Sequence, residues 1–361
     1  MNMMAKKFIW AGVILVVLMA CQQPRKKAEV YSGELPVLED HFTEVVPLKG
    51  VDGLPDTNVV VVGDGPEKQK QYEASLKKLD GLIAEMARKV DSYDDQPVYW
   101  VDIHSGGFVK TLLELNGIPF SYAYTTRYNE YRVDLINPLI EKSGEQKLKI
   151  RVFHDRGLDD SDYFFLRVGY APDFRQRESQ PQYLTDSIKV PAYAQDWLTV
   201  YWDTTITFQA QVPWDYSERL ARATDLRTLP NLEEQVLKKY EQLRQNFIDC
   251  DVTEIVKQSA GKVKREYETN YIASGALMLN DIKRDLTIYA PNHPDKVVYP
   301  ISYYELALYK DGKLVQLRGR ENKKGALRTV EYNTNFQEEP FDVNHNFLLY
   351  LPEGATELQV Y

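Results

Sequence analysis

Cysteine is nearly absent from this chain: Cys21 and Cys250 are the only two in 361 residues. A fold stapled by several disulfides is excluded, and so is a zinc site built on clustered thiolates. Histidine is also sparse, with His41, His104, His154, His293 and His345 making the full set of five. No two of them stand at a metal-ligand spacing, and there is no His-Glu-x-x-His. A Gly-x-Ser-x-Gly nucleophile elbow is missing as well. Gly63-Asp64-Gly65 follows a short apolar run, but lacks the third glycine of a dinucleotide fingerprint and the Gly-Lys-Ser/Thr of a phosphate loop. An excess of positive charge is lacking too: 44 Lys and Arg face 53 Asp and Glu, a net charge of −9. Nucleic acid is excluded as a partner, because its binding rests on cationic contacts to phosphates. Paired carboxylates could serve glycoside hydrolysis, but a chain this acidic always offers pairs. No catalytic residue is assigned and no cofactor is expected.

Long apolar runs are missing as well. The longest is Phe8 to Met19, too short for a membrane span, which needs about 18 apolar residues or more. It sits between Lys6-Lys7 and Leu18-Met19-Ala20-Cys21, then gives way to Gln22-Gln23-Pro24-Arg25-Lys26-Lys27. A basic start, a short apolar stretch and small residues before a cut site are the pattern of a secretory signal. The ending Leu-x-Ala-Cys resembles a bacterial lipoprotein signal. That resemblance implies cleavage after residue 20 and lipidation of Cys21, with several acyl chains holding the protein stably to the membrane. Gln22 replaces the aspartate that retains enteric lipoproteins at the inner membrane, which implies the outer membrane, and no acidic run follows to suggest the cell surface. The expected location is therefore the envelope, lipid-anchored at the outer membrane and facing the periplasm. With Cys21 lipidated, Cys250 stands alone and is expected as a small buried hydrophobe in a helix.

Tyrosine dominates the aromatics at 25. Tyrosines among β-branched residues favour sheets. They also suit binding surfaces, being apolar at one end and wet at the other.

Residues 21–57 are polar, with scattered proline and glycine and no sustained period, and read as a tether. Residues 58–96 hold a short strand, Val59 to Val62, and a helix. Pro66 suits that helix's first turn, and Tyr72, Leu76, Leu79, Ile83, Met86 and Val90 form one apolar seam. From Pro97 the character changes to strands: Val98–Ile103, Val109–Leu115, Phe120–Tyr124, Tyr131–Ile140, Lys147–Phe153, Tyr163–Tyr170 and Leu198–Phe208. Asn116-Gly117 is a hairpin turn, and Ser143-Gly144 reads as a loop. Short strands at this spacing predict an antiparallel sandwich over 97–213.

Within it, a strand, an Asn-Gly turn and a return strand lead into Val133-Asp134-Leu135-Ile136-Asn137-Pro138-Leu139-Ile140 and Ser143-Gly144-Glu145-Gln146-Lys147-Leu148-Lys149-Ile150-Arg151-Val152. This stretch resembles the core of galactose-binding-like jelly rolls. Glu145-Gln146 stand where that family has an asparagine. The resemblance covers residues 98–153 and implies a fold rather than a ligand.

Two clusters in this region are candidate sites. Asp155, Asp159, Asp160 and Asp162 crowd one loop and could hold calcium, although their spacing is not that of an EF-hand. Trp197, Tyr201, Trp202, Asp203 and Trp214 could form a glycan platform, with sugar rings stacked on the aromatics and hydroxyls taken by the carboxylate. Alternation opposes that reading: along an extended Leu198–Phe208, Trp202 shares a face with Leu198, Val200 and Thr204, while Tyr201 points the other way, so one aromatic set belongs to the core.

Residues 214–361 read as an α+β domain. Asn231 with Glu234, and Asp251 with Glu254, are capping pairs for two helices. Val236, Tyr240, Leu243, Phe247 and Cys250 form the apolar stripe of the first, and Gly261 weakens the second. Strands are expected at Asp285–Ala290, Tyr303–Tyr309, Lys313–Arg318, Leu327–Tyr332, Phe347–Leu351 and Glu357–Tyr361, with Asp311-Gly312 as a two-residue turn. The expected fold is a β-rich α+β chain: an antiparallel, jelly-roll-like β-sandwich, then helices and an antiparallel sheet. The expected role is non-catalytic binding at the envelope, to a glycan or another envelope ligand. Two alternatives stand beside it: an immunity protein that neutralises a periplasm-targeted toxin, and a carbohydrate-active hydrolase.

Overall fold

Two short strands, β1 (Glu44–Val46) and β2 (Val60–Val61), and one long helix, α1 (Pro66–Ala87), come first in the chain. The structure, a computed structural model, describes residues 44–46, 59–107, 109–123, 130–154, 163–176, 181–190, 200–272, 274–285, 290–291, 294–320, 323–332 and 340–361. The signal segment, Cys21, Trp197, Asp155, Asp159, Asp160 and Asp162 lie outside the described residues. Gly65 caps α1 and Pro66 takes its first turn, where a missing N–H costs nothing. The helix buries Tyr72, Ser75, Leu79, Ile83 and Met86; of the rest of the expected seam, Leu76 is half-buried and Val90, also half-buried, lies past the helix end.

The strands that follow are β3 (Val98–Gly106), β4 (Lys110–Leu115), β5 (Ile118–Ala123), β6 (Glu130–Leu135), β7 (Lys142–His154), β8 (Tyr163–Ala171), β9 (Gln182–Tyr183), β10 (Ile188–Lys189) and β11 (Val200–Asp215). They form two antiparallel sheets, ordered β10-β8-β3-β6 and β11-β7-β4-β5, with β9 also on β8. The Asn116-Gly117 hairpin pairs Leu115 with Ile118 across a two-residue turn, both turn residues having positive φ. Tyr99, Val101 and Ile103 of β3 and Phe164, Leu166 and Val168 of β8 meet Leu148, Ile150 and Val152 of β7 and Phe208, Ala210 and Val212 of β11 in one core. Each such side chain, fully buried, contributes about 1.5–3 kcal/mol.

Five helices come next: α2 (Ser217–Ala221), α3 (Leu232–Asp249), α4 (Val252–Gln258), α5 (Ala260–Thr269) and α6 (Gly275–Asp285). Then come β12 (Val297–Val298), β13 (Tyr304–Tyr309), β14 (Leu314–Gly319), β15 (Leu327–Tyr332), β16 (Pro340–His345), β17 (Leu349–Tyr350) and β18 (Gln359–Val360). They make two more antiparallel sheets, β1-β13-β14-β17-β18 and β16-β15-β12-β2. The helices and these sheets share a second core, containing Leu79, Ile83, Tyr240, Phe247, Cys250, Leu306, Leu308, Val315, Leu317 and Leu349. The whole is a β-rich α+β fold. No helix among the described residues is long and apolar enough to cross a membrane.

Several local expectations are corrected. Residues 44–46, read as tether, are a strand on β13, with Val45 opposite Ala307. Residues 58–96 fold with the C-terminal half: β2 pairs with β12, and α1 packs on α4 and α6. Ser143-Gly144 is not a loop but part of β7, with Gly144 at φ 124° where the pairing with β11 loses register. Asn231 does precede α3, but it is left-handed and its side chain makes no capping bond. Asp251 caps α4 as expected, accepting from Glu254 N. Ser259 separates α4 from α5, two residues before Gly261. The turn at Asp311-Gly312 spans four residues, because Tyr309 pairs with Leu314. Asp285 ends a helix rather than starting a strand.

Candidate binding face

β11 decides where its aromatics go. From residue 202 to residue 214 every even position turns inward and every odd position is exposed. Trp202 is half-buried against the sandwich core, and Asp203 is exposed. Trp214 is 5 % exposed and donates its indole N–H to Ile140 O at 2.7 Å. Its ring packs among Tyr93, Tyr216 and Tyr271. A buried indole offers no face to a sugar, so the expected glycan platform is corrected at Trp214, and Trp202 follows the same inward face. Tyr201 lies in β11 opposite Phe153, with its side chain outside the described set.

An aromatic row stands elsewhere, on the outer face of the sheet β10-β8-β3-β6. Because Tyr99, Val101 and Ile103 point into the core, strand alternation turns Trp100, Asp102 and His104 outward. The same rule turns out Tyr163, Phe165 and Arg167 of β8, and Tyr131 and Val133 of β6. Register then sets Tyr131 beside His104 and His104 beside Phe165. The His104 ring lies 4.5 Å from Tyr131 and 4.4 Å from Phe165, nearly parallel to the latter. Tyr163 continues the row, 5.9 Å from Phe165. Its ring covers Gly106, where an added Cβ would run into it. Tyr131 is 63 % exposed, Tyr163 38 % and Val133 44 %.

Polar groups sit beside the row. Asp102, the next residue on the same face of β3 as His104, is buried and faces Arg167 Nη2 at 3.6 Å. The Arg167 guanidinium lies 3.8 Å over the ring of exposed Tyr183. Burial, then a hydrogen bond to Asp102, holds the Tyr183 phenol above its ordinary pKa, so it stays protonated and able to donate. The site therefore offers flat ring faces, one guanidinium and one phenol, the last two positioned by the buried Asp102 carboxylate. Among the described residues no three His, Cys, Asp or Glu side chains stand close enough to hold a metal ion.

The opposite outer face of the sandwich is not free. There β4, β5 and β7 pack against β13 and β14 through polar side chains. Glu114 and Arg151 form a pair at 3.1 Å. Glu305 takes both Arg318, at 2.7 Å, and Lys323, at 3.0 Å. Tyr122 reaches Gln316 across the seam at 2.9 Å. A cleft of about 700 Å³ opens at one end, walled by Lys147, Lys149, Arg151 and Thr205 on one side and Tyr309 to Gly312 on the other. Its charges are largely matched within the protein: Lys310 bonds Glu141 at 2.6 Å and Arg227 bonds Asp225 at 2.8 Å.

Cys250 is fully buried at the end of α3, its thiol pKa pushed up by burial. The aromatic row was readable from the alternation Trp100-x-Asp102-x-His104 and Tyr163-x-Phe165-x-Arg167, once the inward positions were assigned. Tryptophan is locally dense on β11 instead, where the side chains turn inward. No family model, curated protein or solved structure matches this chain.

Proposed function

We propose that this chain is a lipid-anchored envelope protein whose sandwich displays a non-catalytic, glycan-binding face. The observation that carries the reading is the row Tyr131–His104–Phe165–Tyr163 on a sheet face, whose two end rings, Tyr131 and Tyr163, are exposed. Four of the nine large hydrophobic residues exposed in the described chain, Tyr131, Val133, Tyr163 and Tyr183, belong to this face. Clustered exposed apolar surface marks binding sites. Aromatic rings take the C–H faces of sugars, and Arg167 and Tyr183, held by the buried Asp102, supply partners for hydroxyls. The anchor rests on the sequence alone, Lys6-Lys7 through Cys21, whose resemblance to a lipoprotein signal supports a location at the outer membrane facing the periplasm.

Two experiments test the two halves. A panel of envelope and plant polysaccharides is offered to the full chain in detergent; binding to at least one is expected, weakened roughly tenfold or more by Tyr131→Ala, a loss of about 1.4 kcal/mol. No binding, or binding indifferent to Tyr131→Ala and Tyr163→Ala, overturns the glycan reading. Cys21→Ser is expected to shift the protein out of the membrane pellet; unchanged sedimentation refutes the anchor.

A second reading is an immunity protein that seats on a toxin. It is favoured by Val133 and Leu184, aliphatic residues exposed beside Tyr131 and Tyr183. With Arg167, such a surface has the composition of a protein interface centre. A toxin whose capture fails with Tyr131→Ala while every glycan is ignored would decide for it.

A further inference from the structure

Among the described residues, two arginines apart from the aromatic face form no ion pair with a side-chain carboxylate. Arg265, on α5, is 7 % exposed, and among the described residues no acceptor reaches its Nε or Nη1. Its guanidinium rests on the ring of Tyr361, 4.1 Å from the centroid. Arg219, on α2, lies 5.2 Å from the same ring, and donates Nε–H to Tyr350 at 2.9 Å. Gly261 explains how Arg219 comes so near α5: a Cβ there would stand 2.7 Å from Arg219 Nη2. Gly261 and Arg265 are one helical turn apart and share a face. Two guanidiniums are thus gathered over one face of α5 and one tyrosine ring.

The nearby acids are engaged elsewhere. Glu268 is taken by Lys264 at 2.6 Å and by the Tyr216 hydroxyl at 2.6 Å. Glu266 pairs with Lys262 at 3.6 Å. Glu141, whose charge is felt at Tyr361, gives Oε2 to Lys310 and keeps a buried Oε1 without a hydrogen bond among the described residues, but forms no ion pair with Arg265 or Arg219 there. A buried charge without a counter-charge is costly, and two like charges together cost more. Water can satisfy the free N–H groups but cannot neutralise the charge. A planar guanidinium fork matches a two-oxygen anion in a bidentate pair.

We propose that Arg265 and Arg219 form a site for a small oxyanion group, a phosphate or a carboxylate, independent of the aromatic face. The test is isothermal titration of the full chain in detergent with inorganic phosphate and, separately, with acetate, at constant ionic strength in chloride. Saturable heat with at least one probe is expected. A phosphate-only response assigns a phosphoryl group, and an acetate response a carboxylate. Arg265→Met should weaken binding at least tenfold and leave the melting temperature in chloride equal or higher, since it removes an uncompensated charge. Gly261→Ala, which displaces Arg219 and spares Arg265, should weaken binding several-fold and serves if Arg265→Met fails to fold. No heat with either probe overturns the proposal. So does heat unchanged in Gly261→Ala and in a folded Arg265→Met, which would mean an adventitious ion only.

Discussion

The sandwich has two outer faces, and they reverse the usual rule of polar outside and apolar inside. The face of β3, β6 and β8 turns aromatic rings to solvent: Tyr131, His104, Phe165 and Tyr163. The face of β4, β5 and β7 hides charge: Arg151 and Glu114 on the sandwich side, and Arg318, Glu305 and Lys323 on the strands packed against it. Arg318 is fully buried and Arg151 is 2 % exposed. The charged face has a structural reason, because each buried ion has a partner across or along the seam. Contacts between lobes of one chain are commonly more polar than a core. The ring contacts of the aromatic face, among the described residues, run along the row itself, linking β6, β3 and β8 of one sheet. Aromatic surface left exposed is the better marker of binding.

The largest expected effect lies on the charged face. Glu305→Gln leaves Arg318 and Lys323 buried together without their carboxylate. Breaking a buried pair from one side typically costs about 3–5 kcal/mol. Urea unfolding at neutral pH should show a loss of that order. Replacing both members of the other pair, Glu114→Leu with Arg151→Met, should cost far less than either single change, because no charge is then left alone. If Glu305→Gln is nearly neutral, the seam is wetter than its burial indicates, and the contrast between the faces fails at its root.

How far the sequence discloses this contrast depends on the range of the signal. Local signals were readable: the Asn116-Gly117 turn, the α1 seam from Tyr72 to Met86, and the Asp251 cap. The strands of the sandwich and the β-rich α+β class followed from alternation and spacing. Pairings between distant segments were not readable. Nothing in Glu44-Val45-Val46 names β13 as its partner, and nothing in Val60-Val61 names β12. The binding face failed for a related reason. Alternation says that two sets of residues point opposite ways, not which way is out. In β11 the aromatic set turned inward, and Trp214 became core. In β3 both sets are largely buried near the start, and Val98–Ile103 carries only one charged residue, Asp102, to mark its outer face. The seam was invisible because Arg151, Glu114 and Arg318 look like ordinary solvated charges until the second sheet covers them.

A third buried polar group sharpens the comparison, because it is kept neutral rather than paired. His345 in β16 accepts or donates one bond with Thr329, at 2.9 Å, and packs on Phe247. Burial, then the nearby charges of Lys296 and Lys262, lower its pKa to about 3. The folded value is below the ordinary one near 6.5. The unfolded chain therefore takes the proton first as pH falls. The contribution of His345 is complete above about pH 6.5 and is lost progressively towards about pH 3. Between pH 7 and pH 5 the loss is expected to be about 2 kcal/mol. With only five histidines in the chain, few other groups titrate in that window. Unfolding of His345→Gln should show a markedly flatter dependence over the same range. An equal slope in both proteins would mean that His345 is charged, and held as the seam arginines are.

The smallest expected effect on stability is on the aromatic face, and it is the one that separates the two faces most cleanly. Tyr131 is 63 % exposed and Tyr163 38 % exposed. Tyr131 has most of its surface in solvent, so Tyr131→Ala should change stability by no more than about 0.5 kcal/mol. Tyr163→Ala should cost somewhat more, since its ring covers Gly106. Trp214→Ala is the control from the core. A buried Trp→Ala change costs about 3–5 kcal/mol, and it touches no ring of the row. If the exposed rings serve binding, loss of stability and loss of glycan affinity will run in opposite order across these three variants, with Tyr131→Ala the most stable and the weakest binder. If Tyr131→Ala instead destabilises the fold as Trp214→Ala does, the row is a structural belt, and the distinction between a face that folds and a face that binds disappears.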